Sequence, residues 1–163
     1  MDIVIIGRIG EDGILELIKG HEAEIASAYS KRYVSEGISG LSAEFGDDDC
    51  MKMLNSFGAD VFVVGRQGIF SALYKMGNAS DTGLKVTLRD IPVRQFTVEM
   101  ADRFDVNPYM LSSLGCILVR TGDGNRLAAQ LGEAGYPARV IGYTTAEKAC
   151  IAVTEAGETY LCP

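Results

Sequence analysis

The chain has 163 residues, which fits one domain, and 47% of them are hydrophobic, which is enough to build a buried core. Its formal net charge of −7 argues against nucleic acid or an anionic membrane as the natural partner. No stretch approaches the roughly 20 apolar residues of a membrane span, so the sequence predicts a cytoplasmic protein.

The N-terminal sequence, MDIVIIGRIG, predicts a first strand over residues 2–9. It has no basic region and no small-residue cleavage site after its apolar stretch, so it is not typical of a signal peptide. A helix is expected to follow and to end at Gly20, and a second helical stretch covers 21–33. The segment 35–48 is glycine-rich and polar, and its pattern predicts no regular element.

Three consecutive aspartates, at 47–49, precede the next helical pattern. Such a cluster is compatible with a metal site, but carboxylates at a helix N-terminus are also stabilised by the helix dipole. We interpret them in the second way, with Asp48 or Asp49 as the N-cap and Gly58 as the C-cap. The sequence therefore predicts no metal site here.

The segment 62–77, FVVGRQGIFSALYKMG, has the order strand, glycine turn, helix. The preceding ADVFVVG is expected to be a buried strand. First-turn amides and the helix dipole favour an anion, and an arginine beside them adds a charge-assisted contact. Gly65, Arg66, Gln67 and Gly68 are therefore the candidate residues for an anionic ligand. Alternatively, the glycines serve tight packing and the arginine is a solvated surface charge.

The second half of the chain alternates strands and helices. Phe96, Met100 and Phe104 recur at four-residue spacing, which predicts an amphipathic helix whose charged residues, including Arg94, face solvent. Strands are expected at 83–88, 115–120, 138–145, 149–155 and 158–162, the last two joined by a hairpin. This mixed order predicts an α+β domain in which helices pack on a mixed, largely antiparallel sheet.

The four cysteines form no C-x-x-C pair and lie far in sequence from the only histidine, His21, so they give no zinc signature. Cys116 and Cys150 lie in β-like runs and are expected to be core residues. Structural disulfides are not expected in a reducing compartment.

Residues 83–119 resemble the C-terminal domain of the AIR-synthase-related superfamily, most of all the HypE-like hydrogenase maturation proteins. The matching motifs are Ile91-Pro92-Val93-Arg94, Asn107-Pro108-Tyr109 and Ser113-Leu114-Gly115, and a weaker likeness covers the whole chain. The resemblance implies a PurM C-terminal-like layered sandwich. Members of this superfamily are ATP-dependent synthetases, kinases or dehydratases.

In the relatives an N-terminal domain supplies most ATP and metal ligands, and nothing in this chain resembles it. We therefore expect a single stand-alone domain over 1–163, and the initiating Met1 also favours this interpretation. Where the relatives read His-Asp-x-Thr-x-Gly-Gly, this chain has Phe62, Val63 and Gly65 in place of the polar residues. Because these side chains neither hold a cation nor accept a proton, we expect no catalytic residues, and no ATP or Mg²⁺ unless a partner completes the site.

Three hypotheses follow from the resemblance. In the first, the chain is non-catalytic and binds a partner protein or a phosphorylated small ligand, with an exposed apolar patch where an N-terminal-half protein docks. In the second, it completes an ATP-dependent site in such a complex, with Asp60, Arg66 and Gln67 replacing the lost ligands. In the third, it forms a homodimer. Cys162 invites comparison with the modified C-terminal cysteine of HypE, but no tail follows it here to carry it into a site, so we do not assign it that role.

Overall fold

The computed structural model describes residues 1–42 and 44–162, which form one sheet with helices on both of its faces. The elements, in chain order, are β1 Asp2–Ile6, α1 Glu11–Gly20, α2 Glu22–Ala28, α3 Lys31–Ser39, α4 Asp48–Phe57, β2 Asp60–Val63, α5 Gly68–Ala79, β3 Gly83–Thr87, α6 Gln95–Arg103, β4 Ile117–Thr121, α7 Gly124–Glu133, β5 Ala138–Thr145, β6 Cys150–Thr154 and β7 Gly157–Tyr160. Short 3-10 turns cover Leu88–Asp90 and Pro108–Met110.

The strand order is β2-β4-β1-β5-β3-β6-β7. Every neighbouring pair is antiparallel except β3 and β6, which run parallel. The predicted α+β class with a mixed, largely antiparallel sheet is therefore confirmed. The predicted β6–β7 hairpin is also present, with Thr154 opposite Gly157 at its end.

Both faces at the centre of the sheet are covered. Alternate strand residues point to opposite faces, yet all four residues Ile3–Ile6 of β1 are buried. Helix α7 approaches Asp2, and α5 approaches Leu84. Asp2 and Lys85 both lie opposite Tyr143 and share its face, so Leu84, next to Lys85, points to the other face. Helices α7 and α5 therefore pack on opposite faces of the sheet.

A second apolar cluster joins α1, α2 and α6. Its buried members include Ile14, Ile25, Phe96 and Met100. The four-residue spacing predicted for α6 is thus confirmed, with Phe104 half-buried at its end. Gly37 of α3 lets the Phe96 ring approach, because a Cβ at this position would lie within 2.5 Å of the ring.

Strand β2 is not the buried strand that its apolar sequence predicts. It lies at the edge of the sheet, pairs only with β4, and leaves Val63 72% exposed. Burial depends on the position of a strand within its sheet, and the local run of apolar residues does not determine that position.

The first helical region also differs from the prediction. The stretch 21–33 is split, since α2 ends at Ala28 and α3 begins after Ser30, whose hydroxyl accepts a hydrogen bond from Tyr33 N. Helix α3 extends into the supposedly irregular segment 35–48, of which Ala43 lies outside the described residues.

The N-cap of α4 is Asp47, one residue before the predicted candidates. Its carboxylate accepts a 2.9 Å hydrogen bond from Cys50 N, while Asp48 and Asp49 occupy the first turn. The hydrogen bond from the Tyr136 hydroxyl, followed by this contact, lowers the pKa of the Asp47 carboxyl. Gly58 is the C-cap with φ +74°, as predicted. The aspartates thus serve the helix N-terminus.

The close approach of β3 and β5 depends on Gly142. A Cβ at this position would meet the Lys85 carbonyl oxygen and lie 2.8 Å from Val86 Cα. We expect Gly142→Ala to lower the free energy of unfolding in urea by about 1–3 kcal/mol, the usual cost of overpacking.

Gly132→Ala in α7 is the matched control, because a Cβ there would meet nothing within 4 Å. Alanine favours a helix over glycine by about 0.5–1 kcal/mol, so this variant is expected to be neutral or more stable. Equal urea midpoints for the two variants would contradict the tight β3–β5 contact.

Candidate functional site

The turn between β2 and α5 is fixed by backbone hydrogen bonds. The Gly65 carbonyl accepts from Gly68 N and from Ser113 N, each at 3.2 Å. The neighbouring Val64 N donates to the Cys116 carbonyl at 3.0 Å. The segment after the 3-10 turn at Pro108–Met110 is therefore attached to the candidate turn.

Gly68 is required by both its conformation and its surroundings. Its φ is +84°, a region that side chains disfavour. A Cβ here would lie 2.6 Å from the Tyr109 carbonyl oxygen and 3.0 Å from that of Leu111. Backbone carbonyls thus lie close to the start of α5, where their partial negative charge complements the helix dipole. This geometry favours the packing interpretation of Gly68.

The other three candidate residues have different surroundings. Gly65 has open space where a Cβ would be, with no heavy atom within 4 Å. Arg66 is exposed and lines a depression next to Glu16 and His21. Gln67 is also exposed, but it lines a separate groove along α5. The structure therefore does not gather the four residues around one cavity, and anion binding by this set stays a prediction.

The strand before the turn carries no free carboxylate toward it. Asp60 lies at the opposite end of β2 and pairs with Arg120, whose Nη2 is 2.7 Å from Oδ2. The same guanidinium lies 5.8 Å from the centre of the half-buried Phe62 ring. These contacts hold Asp60 and Phe62 beside Arg120, which argues against Asp60 as a substitute ligand.

Three exposed apolar side chains surround the turn. Val63 is 72% exposed, Met110 63% and Leu114 37%. Val63 precedes the turn, Leu114 follows the residue that donates to Gly65, and Met110 lines the groove with Gln67. We call Val63, Met110 and Leu114 the turn patch. An exposed apolar patch is expected of a docking surface, although the sequence did not indicate its position.

A buried carboxylate that no sequence pattern indicated lies at the start of α1. Glu11 is buried, and its Oε1 is 3.0 Å from Arg8 Nε, while Oε2 accepts from Ser42 N at 3.0 Å. Burial raises the pKa of Glu11, and the Ser42 amide together with Arg8 and Arg94 opposes this rise. The cluster connects the start of α1 to the segment after α3.

Arg94 belongs to this cluster, so the prediction that it faces solvent is wrong. Its Nη1 donates to the Gly37 carbonyl at 2.9 Å, and its guanidinium lies against Gly40, where a Cβ would be 2.5 Å from Nη2. The reason is positional, because Arg94 precedes α6 as its N-cap and does not share the outer face of that helix.

Asp12 forms hydrogen bonds with the segment 112–114, which lies next to the turn. Its carboxylate accepts from Leu114 N at 2.9 Å and from the Ser112 hydroxyl. Beside it, Gly10 N donates to the Ser113 hydroxyl at 2.8 Å. These contacts join residues about 100 positions apart in the chain, so no local pattern indicated them.

The cysteines differ strongly in environment. Cys116 is fully buried, as predicted, and burial with nearby Glu11 raises its pKa to about 12. Cys150, predicted as core, is only half-buried, while Cys50 is fully buried. Burial raises the pKa of both thiols. Cys162 is exposed and lines the groove along α5.

Residues 1–42 and 44–162 contain neither a cluster of metal-binding side chains nor a membrane-spanning helix. No group of three or more histidine, cysteine, aspartate or glutamate side chains there is arranged to hold a metal ion. Of the helices described in this part of the chain, none is long and apolar enough to cross a bilayer.

The raised pKa of Glu11 predicts how the free energy of unfolding changes with pH. Since the pKa in the folded protein lies above the ordinary value of 4.5, folding favours the protonated acid. That stabilisation is complete below the unfolded-state pKa and is lost as pH rises through the folded-state pKa. We therefore expect the wild type to lose free energy of unfolding relative to Glu11→Gln as pH rises from about 4 to about 7.

The measurement is the difference in unfolding free energy between the two proteins at each pH. Glu133→Gln, at an exposed position of α7, removes the same charge and should give a difference that changes much less with pH. A wild type that gains stability relative to Glu11→Gln over this range would contradict the raised pKa.

No protein-family model matches the sequence, and no curated protein is significantly similar to it. Solved structures do match. E. coli HypE, a hydrogenase maturation protein, has a TM-score of 0.77 at 15% identity over 99% of this chain and 49% of its own. A chain of the HypE–HypF complex gives 0.76 at 18%, over 99% and 52%. Thiamine-monophosphate kinase from Stenotrophomonas maltophilia gives 0.69 at 18%, over 96% and 51%.

The chain thus spans about half the length of these three structures. Identities of 15–18% establish the fold alone. The match to HypE and to a thiamine-monophosphate kinase confirms the fold that the motifs at 91–94, 107–109 and 113–115 predicted. The protein has the fold shared by these HypE and thiamine-monophosphate kinase structures, over a span that corresponds to about half of their length.

Proposed function

We propose that this chain is a HypE-like C-terminal domain that is not catalytic by itself and that docks a partner carrying the nucleotide-binding half. The observation that carries the proposal is the turn patch. Val63, Met110 and Leu114 expose apolar surface around the turn whose counterpart, by resemblance, is polar in the relatives. Exposed apolar side chains grouped in one place are typical of interaction surfaces.

The chemistry of the turn supports a non-catalytic role. Phe62, Val63 and Gly65 offer no acid, base or metal ligand. Asp60 is paired with Arg120 at the far end of the strand. General acid–base catalysis needs a titratable group within hydrogen-bond reach of the reacting atom. Before the turn, β2 supplies no such group.

The solved structures support the partner. The matching HypE chains are about twice as long as this one, so the same fold occurs as one half of a larger protein. One of them was solved as the HypE–HypF complex. Because a domain with the same fold occurs in an assembly, docking is a function that fits the present chain. The partner would be either a separate protein or another part of the same polypeptide.

A second function, completion of an ATP-dependent site within a complex, is favoured by Gly65 and Arg66. Gly65 lies beside open space, and Arg66 forms none of the ion pairs found among the described residues. A phosphate presented by a partner would meet a guanidinium there. In this case phosphate release would require both proteins and would be lost in Arg66→Ala.

The docking proposal is tested with the variant Val63→Asp. We expect it to weaken association with an isolated N-terminal-half protein of this superfamily from the same organism at least about tenfold, because a carboxylate would be buried in the interface. Its unfolding free energy should change by less than about 0.5 kcal/mol, because Val63 is 72% exposed. Association is measured by titration calorimetry.

Tyr160→Asp is the matched control, since Tyr160 is 74% exposed on the opposite edge strand, β7. It should bind as the wild type does. Light scattering over a concentration series distinguishes a homodimer from docking of a second protein. A homodimer would form without the second protein and would dissociate in Val63→Asp. A chain that stays monomeric and binds no N-terminal-half protein would refute the docking function.

A further inference from the structure

The groove along the solvent side of α5 has the features of a small-molecule site. It encloses about 670 Å³, within the range of roughly 300–1,000 Å³ typical of ligand pockets. Gln67, Ser71, Lys75 and Asn78 line it at intervals of three or four residues, so they share one side of the helix. The opposite side of α5 is buried in the core.

The polar groups of this groove are mainly hydrogen-bond donors. Gln67 Oε1 accepts from Ser71 Oγ at 3.0 Å and from Lys75 Nζ at 3.2 Å. Because an ammonium group can only donate, the atom facing it must be the amide oxygen, and this leaves the Gln67 NH₂ group free to donate. Among residues 1–42 and 44–162, no acidic side chain lines the groove and none forms an ion pair with Lys75.

The remaining walls are apolar. Phe70 and Tyr74 lie between the polar positions, and Met110 and Cys162 close the other side. Phe70 is held in place by stacking on Tyr109, with ring centres 5.2 Å apart and planes within 9°. A flat apolar body would therefore find a preformed surface beside the ammonium group.

We propose that this groove binds an organic anion in which an acidic group is attached to a flat apolar body, such as an aryl phosphate or carboxylate. Lys75 and the Gln67 amide receive the anionic group, and Phe70, Tyr74 and Met110 contact the ring. The location differs from the first-turn amides predicted from the sequence, where Tyr109 and Leu111 carbonyls approach Gly68. In a chain with net charge −7, a groove whose described lining carries Lys75 and no carboxylate favours an anion.

The test follows amide signals by NMR while phenyl phosphate is added to the full chain. We expect shifts at Gln67, Ser71 and Lys75, and an affinity about tenfold lower in Lys75→Gln, because a charge-assisted hydrogen bond is lost. Lys52→Gln is the matched control, since Lys52 is an exposed lysine of α4 away from the groove. It should bind as the wild type does.

Further ligands separate the contributions. Benzoate replaces the phosphate by a carboxylate, phenol removes the anion, and inorganic phosphate removes the ring. We expect benzoate to bind, and phenol and inorganic phosphate to bind at least about tenfold more weakly than phenyl phosphate. Equal affinity of the two lysine variants, or shifts confined to other helices, would overturn the proposal.

The thiol of Cys162 provides a second readout. It is the exposed cysteine of the four and lines the groove, so iodoacetamide should modify it first and phenyl phosphate should slow that reaction. The protection should be lost in Lys75→Gln and kept in Lys52→Gln. Val63→Asp should also keep it, so failure of partner docking and failure of this site are distinguishable. Unchanged alkylation at saturating phenyl phosphate would place the ligand outside the groove.

Discussion

The contact between the start of α5 and the backbone of residues 109–111 is the constraint on which this end of the molecule depends. It requires a residue without a Cβ at Gly68, because the Tyr109 carbonyl oxygen occupies the space that a side chain would need. The residues that follow this segment are held by Asp12, which accepts from Leu114 N, and by the Gly10 amide, which donates to the Ser113 hydroxyl. A turn that in form resembles a phosphate loop is thereby covered by carbonyl groups, which compete with an anion for the helix N-terminus.

The buried Glu11 cluster has a related architectural role. Burying a carboxylate is costly unless charge and hydrogen bonds compensate. Arg8 and the Ser42 amide supply both, but only in part, since the pKa of Glu11 remains raised. Arg94 extends the cluster to the Gly37 carbonyl on α3. The cluster thus joins the start of α1, the end of α3 with the residues after it, and the N-cap of α6, and it fixes how these helices lie against one another. Specific positioning, more than net stability, is what such a cluster contributes.

Sequence patterns predicted the features that depend on neighbouring residues. The spacing of Phe96 and Met100, the C-cap at Gly58 and the β6–β7 hairpin are all local, and all are confirmed. The prediction that β2 is a buried strand was wrong, and Val63 is exposed, because burial depends on which strands lie next to β2 in the sheet. The partners of Glu11 and Asp12 could not be predicted either, because they lie far from these residues in the sequence. The fold was predictable from the order of helices and strands and from the resemblance of the motifs. The geometry of the candidate site was not, because it depends on contacts between residues far apart in the sequence.

Met110 connects the two surfaces proposed for this domain. It belongs to the turn patch, and it also forms one wall of the groove along α5. A partner that covers Met110 would change the wall that an aromatic ring contacts, so each binding event would alter the affinity of the other by the same factor. The sign depends on whether Met110 is pressed toward Phe70 or drawn away from it. A methionine suits such a shared position, because its unbranched thioether side chain adapts to different neighbours at little energetic cost.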